Sequence, residues 1–158
     1  MGDVRADVPR RMEGSRMMPF WDETTGAVQL TEHARLAPHM TRQDVLRARS
    51  AFADAAAGDL KTEAVIPFPA FAVAGGRLAC VCLMHGDKLH AVSFWVAGVG
   101  QKRRGTADQQ RALLFQCLRA TDPARDSKRG VLLRCPFGTA LVATDPRTGE
   151  ATLRLTYR

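Results

Sequence analysis

The 158-residue chain carries 23 Lys and Arg against 16 Asp and Glu, a formal charge of +7, with 46% hydrophobic and 25% charged residues. That composition excludes wholesale disorder, and the length suits one domain whose core needs neither a disulfide nor a structural metal. The early arginines have no apolar run behind them and no segment approaches a membrane span, so the expectation is a cytoplasmic protein without membrane insertion.

The charge is unevenly placed. Residues 101–134 hold nine basic and three acidic groups, nearly the whole excess. Such a segment attracts nucleic acid, an anionic lipid or an acidic protein partner, or serves only as a solvated surface.

In chain order, residues 1–17 mix Arg, Asp, Gly, Pro and Met without period and read as a flexible extension, with 18–158 as the single folded domain. Residues 20–30 predict two short strands around a turn in which Gly26 supplies the positive φ. Thr41-Arg-Gln-Asp44 has the form of a capping box, and Val45, Ala48, Phe52 and Ala53 then recur at helical spacing until Gly58.

Strand patterns follow at 71–74, 78–84 and 89–97, separated by Gly75-Gly76 and Gly86-Asp87. A two-residue turn at Gly86-Asp87 would place Leu78, Cys80, Cys82 and Met84 on one face with Leu89, Ala91, Ser93 and Trp95, and Ala79, Val81, Leu83, Val92, Phe94 and Val96 on the other. Both faces are apolar, so these strands belong in the middle of a sheet. Helices can cover one face; the second calls for another layer of the same chain, a second copy, or a bound protein.

Thr106-Ala-Asp-Gln109 opens a second helix with Leu113, Leu114, Cys117 and Leu118 as its apolar stripe, closed by Asp122-Pro123. A polar loop then leads to the short apolar run 131–133. The last hairpin pairs 139–144 with 151–157, whose alternation puts Ala151, Leu153, Leu155 and Tyr157 on a core face and Arg154 and Arg158 on the wet one. Asp22-x-x-Thr25-Gly26 and Asp145-x-x-Thr148-Gly149 share a spacing, best explained by common turn chemistry. The fold class expected is α+β, an antiparallel sheet of about five to seven strands with two main flanking helices.

Catalytic signatures are absent from the sequence: it holds no Gly-x-Ser-x-Gly, phosphate loop, dinucleotide fingerprint or His-Glu-x-x-His. Cys80, Cys82, His85 and His90 offer zinc-ligating atom types, but strand alternation turns the histidines away from the thiols, and no metal or cofactor is expected. All four cysteines read as buried thiols. Cys135, before Pro136-Phe137-Gly138, is the best candidate for reactivity, with a core role favoured.

Phe20-Trp-Asp-Glu-Thr-Thr-Gly26, Met40-Thr-Arg-Gln-Asp44, and Phe137-Gly138 ahead of Thr144-Asp-Pro-Arg-Thr-Gly149 and a strand to Tyr157 give the chain a likeness. Over about residues 19–158 it resembles the small α+β bacterial proteins associated with toxin–immunity loci. The resemblance implies protein binding without catalysis, an immunity protein that neutralises a toxin. Immunity proteins are often acidic; this chain is basic, so its target would need an acidic surface. The recognition residues expected are Lys102, Arg103, Arg104, Lys128, Arg129, Arg154 and Arg158. The alternative is a nucleic-acid-binding protein that uses the same basic segment.

Overall fold

The computed structural model describes residues 20–52, 64–73, 75–97, 107–118, 125–127, 130–145, 147 and 150–158. The expected extension at 1–17 lies outside them. The architecture is broadly α+β and mostly antiparallel sheet. Strands β3 (Val65–Val73), β4 (Gly76–His85), β5 (Lys88–Val96), β6 (Arg125–Ser127), β7 (Gly130–Cys135), β8 (Gly138–Thr144) and β9 (Ala151–Tyr157) form one seven-stranded sheet in the order β3-β4-β5-β9-β8-β7-β6. A two-stranded sheet of β1 (Val28–Thr31) and β2 (Ala34–Leu36) and two short helices, α1 (Arg42–Arg49) and α2 (Ala107–Leu118), complete the described elements.

The first turn forms as its residues dictate. Gly26 takes φ 78 and donates to the Asp22 carbonyl at 2.8 Å, while the Asp22 carboxylate accepts from the amides of Thr24 and Thr25 at 2.7 and 3.0 Å. The expected hairpin around it shrinks to one bridge, Trp21 to Val28; the hairpin that forms is β1 with β2, which the sequence reading missed. At the other matched spacing Asp145 behaves alike, accepting from Arg147 N at 2.8 Å and donating to Glu150 O, as Asp22 donates to Ala27 O. The two sites share an aspartate that closes a loop through both carboxylate and amide.

Helix α1 starts at its cap, Thr41 Oγ1 accepting from Asp44 N at 3.2 Å. The Asp44 carboxylate pairs with Arg47 at 3.0 Å. The helix stops eight residues on, short of the expected Gly58: past Ser50, whose hydroxyl donates to the Arg47 carbonyl at 2.7 Å, the amides of Ala51 and Phe52 bond three residues back to Ala48 O and Arg49 O. Residues 53–63 lie outside the described set. Val45 and Ala48 face the core, and Arg49 ties the helix to β3 by donating from Nε to Pro67 O at 2.7 Å.

Two bulges set which residues enter the core. In β3 the register shifts between Phe68 and Phe71, so both rings reach the inner face, and Pro69 sits at the irregularity where a missing N–H costs little. In β5 the register shifts at His90: Met84 pairs with Leu89, but Leu83 pairs with Ala91. The expected face assignment fails from that point on. The extra residue changes the phase of β5, turning Val92, Phe94 and Val96 inward beside Cys82, Cys80 and Leu78 and placing Ser93, itself buried among its neighbours, and half-buried Trp95 on the opposite face. Without it the larger apolar set would face water.

The inner face is one continuous core. Ile66, Phe68, Phe71, Leu78, Phe94, Val142, Leu153 and Leu155 from the sheet meet Leu114 and Cys117 of α2, Val45 of α1, and Val28 and Leu36 of the small sheet. Phe20 packs edge-on to Phe71 and Phe94, and Trp21 donates from its indole to Cys117 O at 2.7 Å. On α2, Leu114 and Cys117 are buried and Leu113 packs against the core, as the stripe predicted. The polar loop expected before 131 contains instead the short strand β6, antiparallel to β7.

Candidate partner-binding surface

The second face of the large sheet gathers apolar and basic side chains that the core does not use. Following register outward, one row runs Pro67, Val81, Ser93, Arg154, Leu141 and Leu132; its neighbour runs Val65, Leu83, Ala91, Thr156, Thr139 and Arg134. A third holds Ala79, Trp95, Thr152 and Ala143. The half built by β3, β4 and β5 is therefore almost wholly apolar, and the half built by β7, β8 and β9 carries the arginines and threonines together with Leu132, Leu141 and Ala143.

The apolar half is only partly shielded. Val65 is 39% exposed and Pro67, Ala79, Val81, Leu83 and Trp95 are half-buried, and none of these six belongs to the core cluster. Trp95, expected on the face of Cys80 and Cys82, lies here because of the bulge at His90. Arg134 and Arg154 are exposed and, among the described residues, no ion pair or hydrogen bond engages either guanidinium. Arg158 is exposed just past β9 and donates to Cys135 O at 3.5 Å. Strands β3, β4, β5, β7, β8 and β9 contain no Asp or Glu, so nothing within them neutralises these cations.

Of the recognition residues expected from sequence, Arg154 stands on the outer face and Arg158 beside it, while Lys102, Arg103, Arg104, Lys128 and Arg129 lie outside the described residues. Arg134 was missed. Its signal was present: Val131, Leu133 and Cys135 alternate with Leu132 and Arg134, which marks a strand with Arg134 on the outward side.

The thiols face the other way. Cys80 and Cys82 are fully enclosed, and desolvation raises both well above an ordinary thiol, Cys80 with a further push from Cys82. Burial takes Cys117 up to about 12. Cys135 is raised as well, first by burial and then by the Glu23 carboxylate, and its Sγ donates to Leu133 O at 3.9 Å. That is the direction opposite to an activated nucleophile. His85 and His90 are exposed with ring centroids 5.9 Å apart, remote from the buried thiols, and among the described residues no three His, Cys, Asp or Glu side chains gather as a metal site.

No helix among the described residues is long and apolar enough to cross a membrane. Comparison of the chain with protein-family models, with curated proteins and with solved structures finds no match.

Proposed function

We propose that the chain is a non-catalytic protein-binding module of the cytoplasm that works by covering a surface of its partner. The observation that carries this reading is the outer sheet face, where Val65, Pro67, Val81, Leu83 and Trp95 form an apolar field that the core does not use. Apolar surface of that kind, rimmed by polar groups, is the usual material of a protein interface. The likeness to toxin–immunity proteins supports the same reading and suggests a toxin as the target, inhibited by direct occlusion. The basic half favours an acidic partner.

Nucleic acid is the second reading, favoured by the unpaired Arg134 and Arg154 and by the basic segment 101–134. Salt separates the two. A nuclease-treated pull-down from native cells should retain one stoichiometric protein at both ~50 and ~200 mM salt, because a buried apolar contact outlasts screening. Recovery of nucleic acid alone, lost at the higher salt, would replace the protein-binding reading with the second.

A further inference from the structure

We propose that the outer sheet face docks a protein segment that is apolar along one side and acidic along the next, with Arg134 and Arg154 receiving its carboxylates. This rests on the protein-binding reading and specifies the occupant. The two halves of the face make different demands. Val65, Val81 and Leu83 gain only from apolar contact, and Trp95 gains mainly from it, with one indole N–H as a polar handle. Arg134 and Arg154 gain only from anions, and a guanidinium is best answered by a carboxylate in its plane.

Their placement sets a spacing. Arg134 and Arg154 are two strands apart and one outward-facing row apart, which at strand dimensions is about 12 Å between Cα atoms. Two carboxylates about two helical turns apart span that distance. An amphipathic helix with Glu or Asp on one flank of its apolar stripe therefore satisfies both halves at once.

The competing occupants satisfy only one. A second copy of this chain docking through the same face brings an apolar half but no acid on that face, because β3, β4, β5, β7, β8 and β9 contain no Asp or Glu and Asp126 of β6 holds the register position of inward-facing Val131. Single-stranded nucleic acid brings anions, but the apolar half offers its bases one aromatic ring, Trp95, amid aliphatic side chains that do not stack.

The test is a nuclear magnetic resonance titration of the full chain with two synthetic helical peptides of equal length. One has a leucine stripe flanked by glutamates; the other has glutamine in place of every glutamate. The expected result is that the Glu peptide shifts the Trp95 indole and the amides of Val81, Ser93 and Arg154, and binds at least about fivefold tighter than the Gln peptide. Arg134→Gln and Arg154→Gln should each weaken the Glu peptide by about two- to fivefold, the range of an exposed ion pair, with signal dispersion unchanged.

Equal binding of the two peptides would overturn the acidic occupant while leaving a protein-binding face. An oligo-deoxythymidine that shifts these resonances where neither peptide does would overturn the protein-binding reading itself. Concentration-dependent dimerisation in sedimentation that shifts the same resonances would assign the face to a second copy. Silence of the face toward every probe would sink the proposal.

Discussion

The hydroxyl of Tyr157 donates to the carbonyl of Gly26 at 2.9 Å, buried, between residues 131 apart in sequence. It fastens β9 to the turn that leads into β1. Burial pushes the phenol's ionisation up, so it remains a donor throughout the neutral range. Tyr157→Phe would leave the Gly26 carbonyl enclosed without this donor, and the expected cost is about 1–3 kcal/mol. Urea unfolding should show a lower midpoint with an unchanged slope.

Two glycines with similar positive φ make a controlled pair. A Cβ on Gly26 would lie 2.7 Å from Phe137 Cγ and 2.9 Å from Tyr157 Cε1, whereas one on Gly86 would meet nothing within 4 Å. Gly86→Ala should therefore cost only its backbone strain, about 1 kcal/mol. Gly26→Ala adds a clash inside the core and should lower the melting temperature distinctly further.

The cap of α1 rests on one side-chain oxygen. Thr41→Ala removes the acceptor for Asp44 N and should destabilise by about 1 kcal/mol, with Thr41→Ser restoring most of the loss. The same thermal melts that compare the glycine variants measure it.

The thiols report on opening. Because burial raises all four, the native protein should react slowly with iodoacetamide at neutral pH. Cys80 and Cys82, on the inner face of β4 with strands paired on both sides, should label at a rate that follows the population of globally unfolded protein across a urea series. Fast modification of either at zero urea would contradict the burial described for β4.

Asp22 should give a signature at low pH. Amide hydrogen bonds from Thr25 and then Thr24 hold its carboxyl below the ordinary aspartate range, more than desolvation raises it. A group whose folded value is depressed contributes stability that is complete above its unfolded value and disappears as pH falls through the folded one. Wild type and Asp22→Asn should therefore converge in stability as the pH drops below about 4.

What could be read in the residues depended on how local the cause was. The Thr41 cap, the Gly86-Asp87 turn, the Gly26 turn and the β8–β9 hairpin were all visible, since each is fixed by a few neighbouring residues. The faces of β5 were misread because a bulge at His90 depends on which phase buries more apolar volume against the rest of the core. Strands β2 and β6 are three residues each and owe their existence to the partner beside them, so no period announces them. For the candidate surface, Arg154 followed from alternation, but Trp95 and Arg134 did not, the first because of the bulge and the second because it sat in a segment read for its charge.

Strand β9 lies between β5 and β8, with Ala91 paired to Thr156 on one side and Val142 to Leu153 on the other. On the ribosome, both meanders that it unites emerge before it does. Until residues 151–157 are free, neither β5 nor β8 has the strand that pairs with its inner edge, and that edge is open to any other strand in reach. The sheet is thus completed by insertion into its middle and not by growth at a margin. The non-local pairing of β9 with β5 makes a late folding step, and the interval before it is when the chain is most exposed to aggregation.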